Sequence, residues 1–356
     1  MNKGKGEKTS TTQITTVEIK TATVVHITTE KTAQIITTEK ETQITTTETT
    51  ATEELIPSFI INENTTWQQS AITVAGGNGP GNKLKQLNQP RGFYIDEDSE
   101  NIYIADFRNN RIVRWKFGED TGEIVAGGGD SLSFPRDVIF DKQNESLIIC
   151  DWFNRRLIRW FLQNNQAIET LISDFPCWCL AMHNDGDLYI SDFQEHQIRR
   201  LQQGDREVTI VAGGNGQGKK LNQLNGPKYI VVDGNHSVYV ADSGNNRVTK
   251  WMKDAHEGTL VALGKASGEN PNSLMKPIGV VVDHIGNIYV SNEKSHQITR
   301  WSPGAIEGVP VVGGKQSGSG PTQLKDPHEL FFDRHGNLYV VDTYNHRIQK
   351  FLIDAN

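Results

Sequence analysis

Acidic and basic side chains recur in this sequence five residues apart. Four pairs share this spacing: Asp106/Arg111, Asp151/Arg156, Asp242/Arg247 and Asp342/Arg347. A carboxylate beside a guanidinium could serve acid–base chemistry. However, an active site needs one constellation, whereas these pairs occur in four separate segments. We therefore interpret them as structural turn braces, in which the carboxylate accepts hydrogen bonds from loop N–H groups and from the guanidinium. Asp192 takes the same structural position in a further segment, where Gln197 replaces the arginine.

The three cysteines, Cys150, Cys177 and Cys179, all lie in apolar stretches that resemble β-strands. Three is too few, and an odd number, for a disulfide framework. A bond between Cys177 and Cys179 would be strained at that spacing. We therefore interpret all three as small core residues.

Two glycine-rich stretches, residues 77–81 and 214–218, resemble loops that cradle phosphate. Such a loop must lead into a helix, whose first N–H groups bind the anion. Both stretches lead instead to a Gln-Leu pair and then a proline. We interpret them as connectors and predict no cofactor.

The charge balance argues against nucleic acid and membrane as default partners. The 356 residues contain 36 Lys and Arg against 43 Asp and Glu, a formal charge of −7. Binding to a phosphate backbone generally requires a basic excess. No apolar run reaches the roughly 20 residues of a membrane span, and no signal peptide follows the first lysines. Read as a complete chain, the sequence is expected in the cytoplasm.

Residues 1–65 form a threonine-rich tail of low complexity. Residues 9–52 contain 19 threonines and no proline, glycine or aromatic residue. Isolated Ile and Val residues between threonines cannot bury enough surface to offset the entropy of ordering. We predict that this tail is disordered, with some tendency toward strand because threonine favours β-structure.

From residue 66 onward the sequence repeats a single pattern six times. A short apolar run ends at a polar residue in each copy: Asp106, Asp151, Asp192, Asp242, Asn292 and Asp342. The copies are 41 to 50 residues apart, and a bulky anchor residue follows nine positions later. Most copies begin with a proline and contain four predicted strands with no helical pattern. This period and strand number predict the blades of a β-propeller over residues 66–356.

The ends of the repeated region indicate that the ring is closed. The sixth copy stops after residues 351–353 and lacks its fourth strand, while a strand of the right type, residues 72–77, precedes the first copy. Pairing this segment with the last copy completes six blades and leaves no bare sheet edge. We therefore predict an all-β fold: a closed, six-bladed propeller of four-stranded blades.

The repeated phrases, such as residues 286–291 and 241–248, resemble NHL repeats over about residues 66–356. The third copy departs from the pattern, with Cys177 in place of the proline and His183 in place of an aspartate. This resemblance implies a propeller whose upper face binds partners. The upper face is defined as the face on which the first strand of each blade begins and on which the loops between the second and third strands lie.

The resemblance also raises enzymatic alternatives. Some NHL propellers belong to ubiquitin ligases, but a RING domain needs about eight Cys and His ligands for its zinc ions, which this chain cannot supply; a substrate-recognition role without RING stays open. The amidating lyase that resembles this fold holds zinc with several histidines on inner strands. Here only His328 lies at the start of an inner strand, so we predict no metal site and no enzymatic activity.

The residues that do not repeat are the candidate binding site. Each copy begins with an opening residue, which is a proline in most copies and Cys177 in the third. In a closed ring, the six residues that directly follow these opening residues surround the mouth of the central channel. They are Arg91, Arg136, Trp178, Lys228, Ile278 and His328. The nearby loops of the upper face carry Phe107, Arg108, Trp152, Phe153, Phe193 and Tyr344. Cations beside aromatic rings favour an anionic or mixed acidic–aromatic ligand.

These patterns predict a non-catalytic scaffold or adaptor that binds a protein or peptide ligand on its upper face. The first alternative is binding of single-stranded RNA, which some NHL propellers perform and which requires a continuous basic, aromatic face. The second is a zinc-dependent lyase similar to the amidating enzyme. The propeller is expected to be monomeric.

Overall fold

The computed structural model describes residues 36–38, 41–43, 61–62, 64–163, 167–263, 274–314 and 316–354. The chain divides into two units, Met1–Glu54 and Leu55–Asn356. In the first unit, β1 (Ile36–Thr38) and β2 (Glu41–Gln43) pair antiparallel. The predicted disorder of residues 1–35, 39–40, 44–60 and 63 lies outside the described residues. No helix in the described part of the chain has the length and hydropathy of a membrane span.

The second unit consists of six four-stranded antiparallel sheets, the blades. The first three blades are β4–β7 (Phe93–Asp96, Asn101–Asp106, Arg111–Lys116, Glu123–Gly127), β8–β11 (Pro135–Asp141, Ser146–Asp151, Arg156–Phe161, Ile168–Ile172) and β12–β15 (Cys177–Met182, Leu188–Asp192, Gln197–Leu201, Val208–Gly213). Blades 4 and 5 are β16–β19 (Pro227–Val232, Val238–Asp242, Arg247–Trp251, Thr259–Leu263) and β20–β23 (Pro277–Val282, Ile288–Asn292, Gln297–Trp301, Val309–Val312). This architecture confirms the predicted six-bladed propeller.

Blade 6 is assembled from both ends of the propeller. Its first three strands are β24 (Pro327–Phe332), β25 (Leu338–Asp342) and β26 (Arg347–Phe351), and its fourth is β3 (Ile72–Gly76). β3 pairs antiparallel with β26, and the Thr73 hydroxyl donates to Gln349 Oε1 at 2.7 Å. The prediction that an N-terminal strand closes the ring is therefore confirmed.

Residues before β3 extend the contact with the last blade. Trp67 forms an isolated antiparallel bridge with Ile353, and its indole N–H donates to the Gly336 carbonyl at 2.9 Å. Trp67 is 1% exposed and Ile61 is 6% exposed, so burial begins before residue 66, where the sequence analysis had placed the start of the propeller.

The core lies between neighbouring blades. Each apolar cluster combines the middle strands of one blade with those of the next, as where Tyr103 and Ala105 of blade 1 pack with Leu147 and Ile149 of blade 2. The anchor residues at the ends of the third strands are all buried: Trp115, Trp160, Leu201, Trp251, Trp301 and Phe351. Since each blade buries a face only against its neighbours, the closed ring covers every face.

The repeated acidic residues lie inside the upper turns. Asp106 is fully buried and accepts hydrogen bonds from the Asn88 N–H at 2.7 Å and from Arg111 Nε at 2.7 Å. Arg111 also donates to the carbonyl groups of Asn82 and Gln86. Burial raises the pKa of Asp106, although Asn109 and Arg111 act to lower it. These are the contacts of a turn brace.

Three blades repeat this arrangement and two replace it. Arg156, Arg247 and Arg347 contact Asp151, Asp242 and Asp342 at 2.7 to 2.8 Å. In blade 3, Gln197 does not supply the cation; Arg199 reaches Asp192 instead, with Nη2 at 2.8 Å. In blade 5, Asn292 and Gln297 form a neutral version, in which Asn292 donates to Thr299 Oγ1 at 3.0 Å.

The cysteines correct one expectation of the sequence analysis. All three are buried in the core, but Cys150 and Cys177 form a disulfide, with their Cα atoms 5.4 Å apart. Cys150 lies in β9 of blade 2 and Cys177 begins β12 of blade 3. The bond therefore joins two blades. Cys179 is a free, buried thiol.

Candidate binding site

The first strand of each blade brings its opening residues to the channel mouth. In five blades the pairing between the first and second strands shifts register just after the opening residue, as between Pro135 and Val138 and between Pro327 and Leu330. A bulge of this kind leaves two residues outside the regular ladder and re-aims their side chains. The two positions after each blade opening therefore meet around the central axis.

Arg136 lies at the centre of an aromatic cluster. Its guanidinium carbon is 3.4 Å from the Trp178 ring centroid, 4.5 Å from that of Trp152 and 5.4 Å from that of Phe107. The residue is 8% exposed, and its Nε has no hydrogen-bond partner. Burial, together with the nearby charge of Arg91, lowers the pKa of Arg136 to about 9.

Within the described residues, Arg136 also lacks an acidic partner. No carboxylate of the described residues lies within ion-pair distance of its guanidinium. A buried charge without a counter-ion is costly, and stacking on aromatic rings offsets only part of that cost. Among the described residues, the mouth therefore holds a buried cation without a counter-ion.

Arg91 and His328 form a second group with Asp326. Arg91 Nη1 is 2.6 Å from His328 Nε2, and Asp326 Oδ2 lies 3.4 Å from the same nitrogen. Burial and the charge of Arg91 lower the pKa of His328 to about 3, so the imidazole is neutral at pH 7. Nε2 then accepts the hydrogen bond from Arg91, and the imidazole proton resides on Nδ1.

Asp326 stays ionised beside this group. Burial acts to raise its pKa, but the positive charges of Arg91 and Lys228 lie nearby, and the pKa of Asp326 is lowered. No second histidine among the described residues contacts His328. The zinc site that the lyase alternative requires, with His328 and two further histidines, is therefore not formed by these residues.

The remaining mouth residues come from blades 3 to 5. Lys228 Nζ is 3.2 Å from Glu293 Oε2 and 5.7 Å from the Trp178 ring centroid; burial lowers the pKa of Lys228. Trp178 stacks on Phe193 with ring centroids 4.6 Å apart. Ile278 is 1% exposed and packs into the core, so blade 5 contributes no polar group at this position.

The loop aromatics divide into an inner and an outer set. Phe107, Trp152 and Phe193 pack against the mouth residues. Phe153 is 63% exposed and contacts Trp152 and Phe134, with Arg108 lying 5.8 Å from the Phe134 ring centroid. Tyr344 is 42% exposed and has no ring contact with this group within the described residues.

A second ring of channel residues, not predicted from the sequence, directly follows the mouth residues along each first strand. It consists of Gly92, Asp137, Cys179, Tyr229, Gly279 and Glu329. A Cβ atom on Gly279 would collide with the His328 carbonyl, and one on Gly92 would collide with Asp137. The missed signal was the same as for the mouth: this position also varies between copies, and in two copies it carries a carboxyl group on an inner strand.

Asp137 and Glu329 hold neighbouring strands together. Asp137 accepts hydrogen bonds from the N–H groups of Val138 at 2.9 Å and Leu180 at 2.7 Å, and Glu329 accepts from the Phe93 N–H at 2.6 Å. Burial raises the pKa of Asp137 to about 7, and burial together with the charge of Asp137 raises the pKa of Glu329. Glu329 also lines a cavity of about 550 Å³ on the lower side of the channel.

Two segments match the NHL repeat family, residues 87–115 and 324–351, which lie in blades 1 and 6. No curated protein matches the chain. Several solved structures share its fold at low sequence identity. One is an auxiliary nutrient binding protein from Bacteroides thetaiotaomicron, with a TM-score of 0.61, 14% identity, and coverage of 80% of this chain and 76% of that chain.

Two enzymes are also similar in fold. One is a gluconolactonase from Xanthomonas campestris, with a TM-score of 0.57, 13% identity, and coverage of 82% of this chain and 97% of that one. The other is virginiamycin B lyase from Staphylococcus aureus, with a TM-score of 0.51, 12% identity, and coverage of 76% and 97%. At these identities the likeness concerns the fold alone. The chain is therefore a closed, six-bladed β-propeller in which two segments match the NHL repeat.

Proposed function

We propose that the upper face of this propeller is a non-catalytic binding platform for a protein or peptide segment that presents a carboxylate to Arg136. The observation that carries this proposal is the buried guanidinium of Arg136, which has three aromatic rings around it and no acidic partner within the described residues. An incoming carboxylate would supply the missing counter-ion through charge-assisted hydrogen bonds.

The surroundings of Arg136 favour a side chain of mixed character. Trp178 and Trp152 are half-buried, so each offers apolar surface beside the cation. Phe153 and Tyr344 are exposed on loops of the same face. Large rings that flank an arginine are typical of the residues that dominate protein interfaces. An acidic residue next to an apolar one would satisfy both features.

A single-stranded RNA ligand is less well supported. Two of the three mouth cations already have acidic neighbours, because Asp326 lies beside Arg91 and Glu293 lies beside Lys228. These carboxylates would repel a phosphodiester backbone, which requires a continuous basic groove. The same carboxylates do not prevent one acidic side chain from reaching Arg136.

The channel acids Asp137 and Glu329 have a structural role. The oxygen atoms of Asp137 accept hydrogen bonds from two backbone N–H groups, and Glu329 accepts one from Phe93. Asp137 thus joins the first strands of blades 2 and 3, and Glu329 joins those of blades 6 and 1. We therefore assign these carboxyl groups to the architecture of the channel.

The test uses an array of peptides in which each acidic sequence has a matched copy with Gln in place of Glu. Peptides that bind the wild-type chain only in the acidic form are then titrated in solution, and the emission of the mouth tryptophans is recorded. We expect Arg136→Gln to weaken binding by at least about 10-fold, the loss expected for one charge-assisted hydrogen bond. Arg206→Gln is the matched control, because Arg206 is exposed in the lower turn after β14.

Unchanged affinity in Arg136→Gln, with the fold intact by circular dichroism, would overturn the proposal. A uridine oligonucleotide at physiological salt serves as the second probe. If the oligonucleotide binds wild type, and Arg136→Gln abolishes that binding, then the RNA alternative replaces the peptide proposal.

A further inference from the structure

The lower turns, which join the first and second strands of each blade, share an aspartate cap in three consecutive blades. Asp233 Oδ1 accepts hydrogen bonds from the N–H groups of Asn235 and Ser237. Asp283 and Asp333 make the same pair of bonds within their own turns. This self-capping is a standard way to stabilise a tight turn. In blade 3 the corresponding residue is His183.

Blade 4 departs from the same turn at a different position. Blades 3, 5 and 6 place a glycine there, Gly186, Gly286 and Gly336, with φ between +77° and +92°. Blade 4 has His236 at this position, with φ +61°. The left-handed backbone is less favourable for a residue with a Cβ atom than for glycine. Both departures therefore replace a residue that suits the turn better with a histidine.

These two histidines face each other across the seam between blades 3 and 4. Their ring centroids are 3.8 Å apart, and the carboxylate of Asp185 contacts both. His183 Nδ1 lies 2.8 Å from Asp185 Oδ1, and His236 Nε2 lies 3.3 Å from Asp185 Oδ2. The nitrogen and oxygen atoms that these three residues offer all lie within 4.8 Å of one another.

A further hydrogen bond orients one of the two rings. The Tyr189 hydroxyl is 2.9 Å from His236 Nδ1, and burial raises the pKa of Tyr189 to about 12, so this hydroxyl stays protonated. An outer hydrogen bond to one ring nitrogen fixes the ring and leaves the other nitrogen to bind a ligand. In His183, Nε2 is buried without a partner. Hydrogen bonding inside the cluster therefore does not satisfy both imidazoles.

We propose that His183, Asp185 and His236 bind a divalent transition-metal ion, for which Zn²⁺ is the best match. Two imidazole nitrogens and one carboxylate oxygen are a ligand set typical of zinc. Metal–ligand bonds of about 2.0–2.1 Å in a tetrahedron place the ligand atoms roughly 3.3 Å apart, close to the separation of His236 Nε2 and Asp185 Oδ2. Three protein ligands leave the fourth position to water or an outside ligand.

This site is separate from the proposed binding platform. It lies on the lower face, on turns of blades 3 and 4, whereas Arg136 and its neighbours lie at the upper end of the channel. Asp185 is partly exposed, so an ion can enter from solvent. A bound ion would link two blades through their turns, and metal binding would then stabilise the folded chain.

The experiment measures Zn²⁺ binding to the full chain by calorimetry after the chain has been stripped with a chelator. Co²⁺ is titrated separately, because its visible absorption reports the ligand geometry. We expect wild type to bind one ion more per chain than His236→Gly. We also expect His236→Gly and Asp185→Asn to weaken binding at this site by at least about 100-fold, since even outer-shell changes cost 10- to 100-fold. His284→Ala, an exposed turn histidine of blade 5, should bind like wild type.

His236→Gly is the decisive variant because it restores the residue that three other blades use in this turn. Without metal, its melting temperature should equal or exceed that of wild type, since the backbone strain is removed. With Zn²⁺, the melting temperature of wild type should rise and that of the variant should not. Equal Zn²⁺ stoichiometry and affinity in wild type and His236→Gly would overturn the proposal, as would the absence of binding in wild type.

Discussion

The Asp242–Arg247 pair shows how one residue type can serve a fold repeatedly. Asp242 is fully buried, and Arg247 donates to it and to the carbonyl groups of Lys219, Lys220 and Gln223. The guanidinium thus ties the upper turn of blade 4 to the loop that enters the blade. Blade 5 has neutral residues at these two positions: Asn292 accepts a hydrogen bond from the Met275 N–H, and Gln297 donates to the Gly313 carbonyl.

We expect Arg247→Ala to destabilise the protein by about 3–5 kcal/mol, because the substitution leaves the buried Asp242 carboxylate without its cation. Urea unfolding followed by circular dichroism measures this loss. The double variant Asp242→Asn/Arg247→Gln copies the blade 5 pair and should cost clearly less than the single substitution. A double variant that is no more stable than Arg247→Ala would show that the ion pair itself, rather than a satisfied network, is required.

The channel acids Asp137 and Glu329 predict an unusual pH dependence of stability. The pKa of Asp137 is about 7 in the folded protein, against about 3.9 for an unfolded chain. Between these values the folded state retains a proton that the unfolded state releases. This group therefore favours folding at low pH, and its contribution falls by up to about 1.4 kcal/mol per pH unit as the pH rises toward 7.

Asp137→Asn should reduce this slope, because the amide does not titrate. The measurement is the free energy of unfolding of wild type and variant at several pH values from 5 to 8, and the difference between them should change mainly below pH 7. Asp98→Asn is the matched control, since hydrogen bonds from Lys142 and Arg334 lower the pKa of Asp98 and its titration lies below this window. Parallel curves for wild type and Asp137→Asn would contradict the assignment.

Among the strands, the short β3 closes the ring. Its five residues supply the fourth strand of blade 6, and Ala75 is buried in the cluster that joins blades 6 and 1. Without β3, the outer edge of β26 would lose its ladder of hydrogen bonds and the ring would lose its closure. A bare strand edge also invites pairing with other chains.

We expect deletion of residues 1–77 to prevent cooperative folding or to cause aggregation, whereas deletion of residues 1–54 should leave the melting temperature within about 2 °C of wild type. Calorimetry and size-exclusion chromatography distinguish these outcomes. The shorter deletion is the control, because it removes only the first compact unit. A cooperative transition in the 78–356 fragment would show that β3 is not needed for closure.

Strand bulges explain which site residues the sequence could reveal. Arg91, Arg136, Trp178, Lys228 and His328 share one register position, so ring closure alone predicts that they meet. The direction of Asp137 and Glu329 depends on the register shift in the first strand, and the repeat does not encode that shift in a recognisable residue. The partners Asp326 and Glu293 come from loops whose course depends on the assembled ring.

For the whole molecule, the number of blades and the manner of closure could be predicted because the spacing of the copies is visible in the sequence. Contacts between blades could not be predicted in the same way. The cluster of His183, Asp185 and His236 combines turns of two blades; each turn has a histidine that departs from the repeat, but neither departure alone indicates a site. Only the distance between neighbouring turns, which the structure supplies, brings these residues into one group.

The Cys150–Cys177 disulfide adds a covalent bond between blades 2 and 3 to the backbone that already connects them. The junction that β3 closes depends on hydrogen bonds and packing instead. Disulfides persist mainly in oxidising compartments, so whether this bond exists depends on where the protein resides. In a reducing environment the same two residues would be buried thiols. Blades 2 and 3 would then be held by hydrogen bonds and packing, like the other neighbouring blades. The redox state around the protein therefore determines whether the disulfide adds to the hydrogen bonds and packing that hold the ring together.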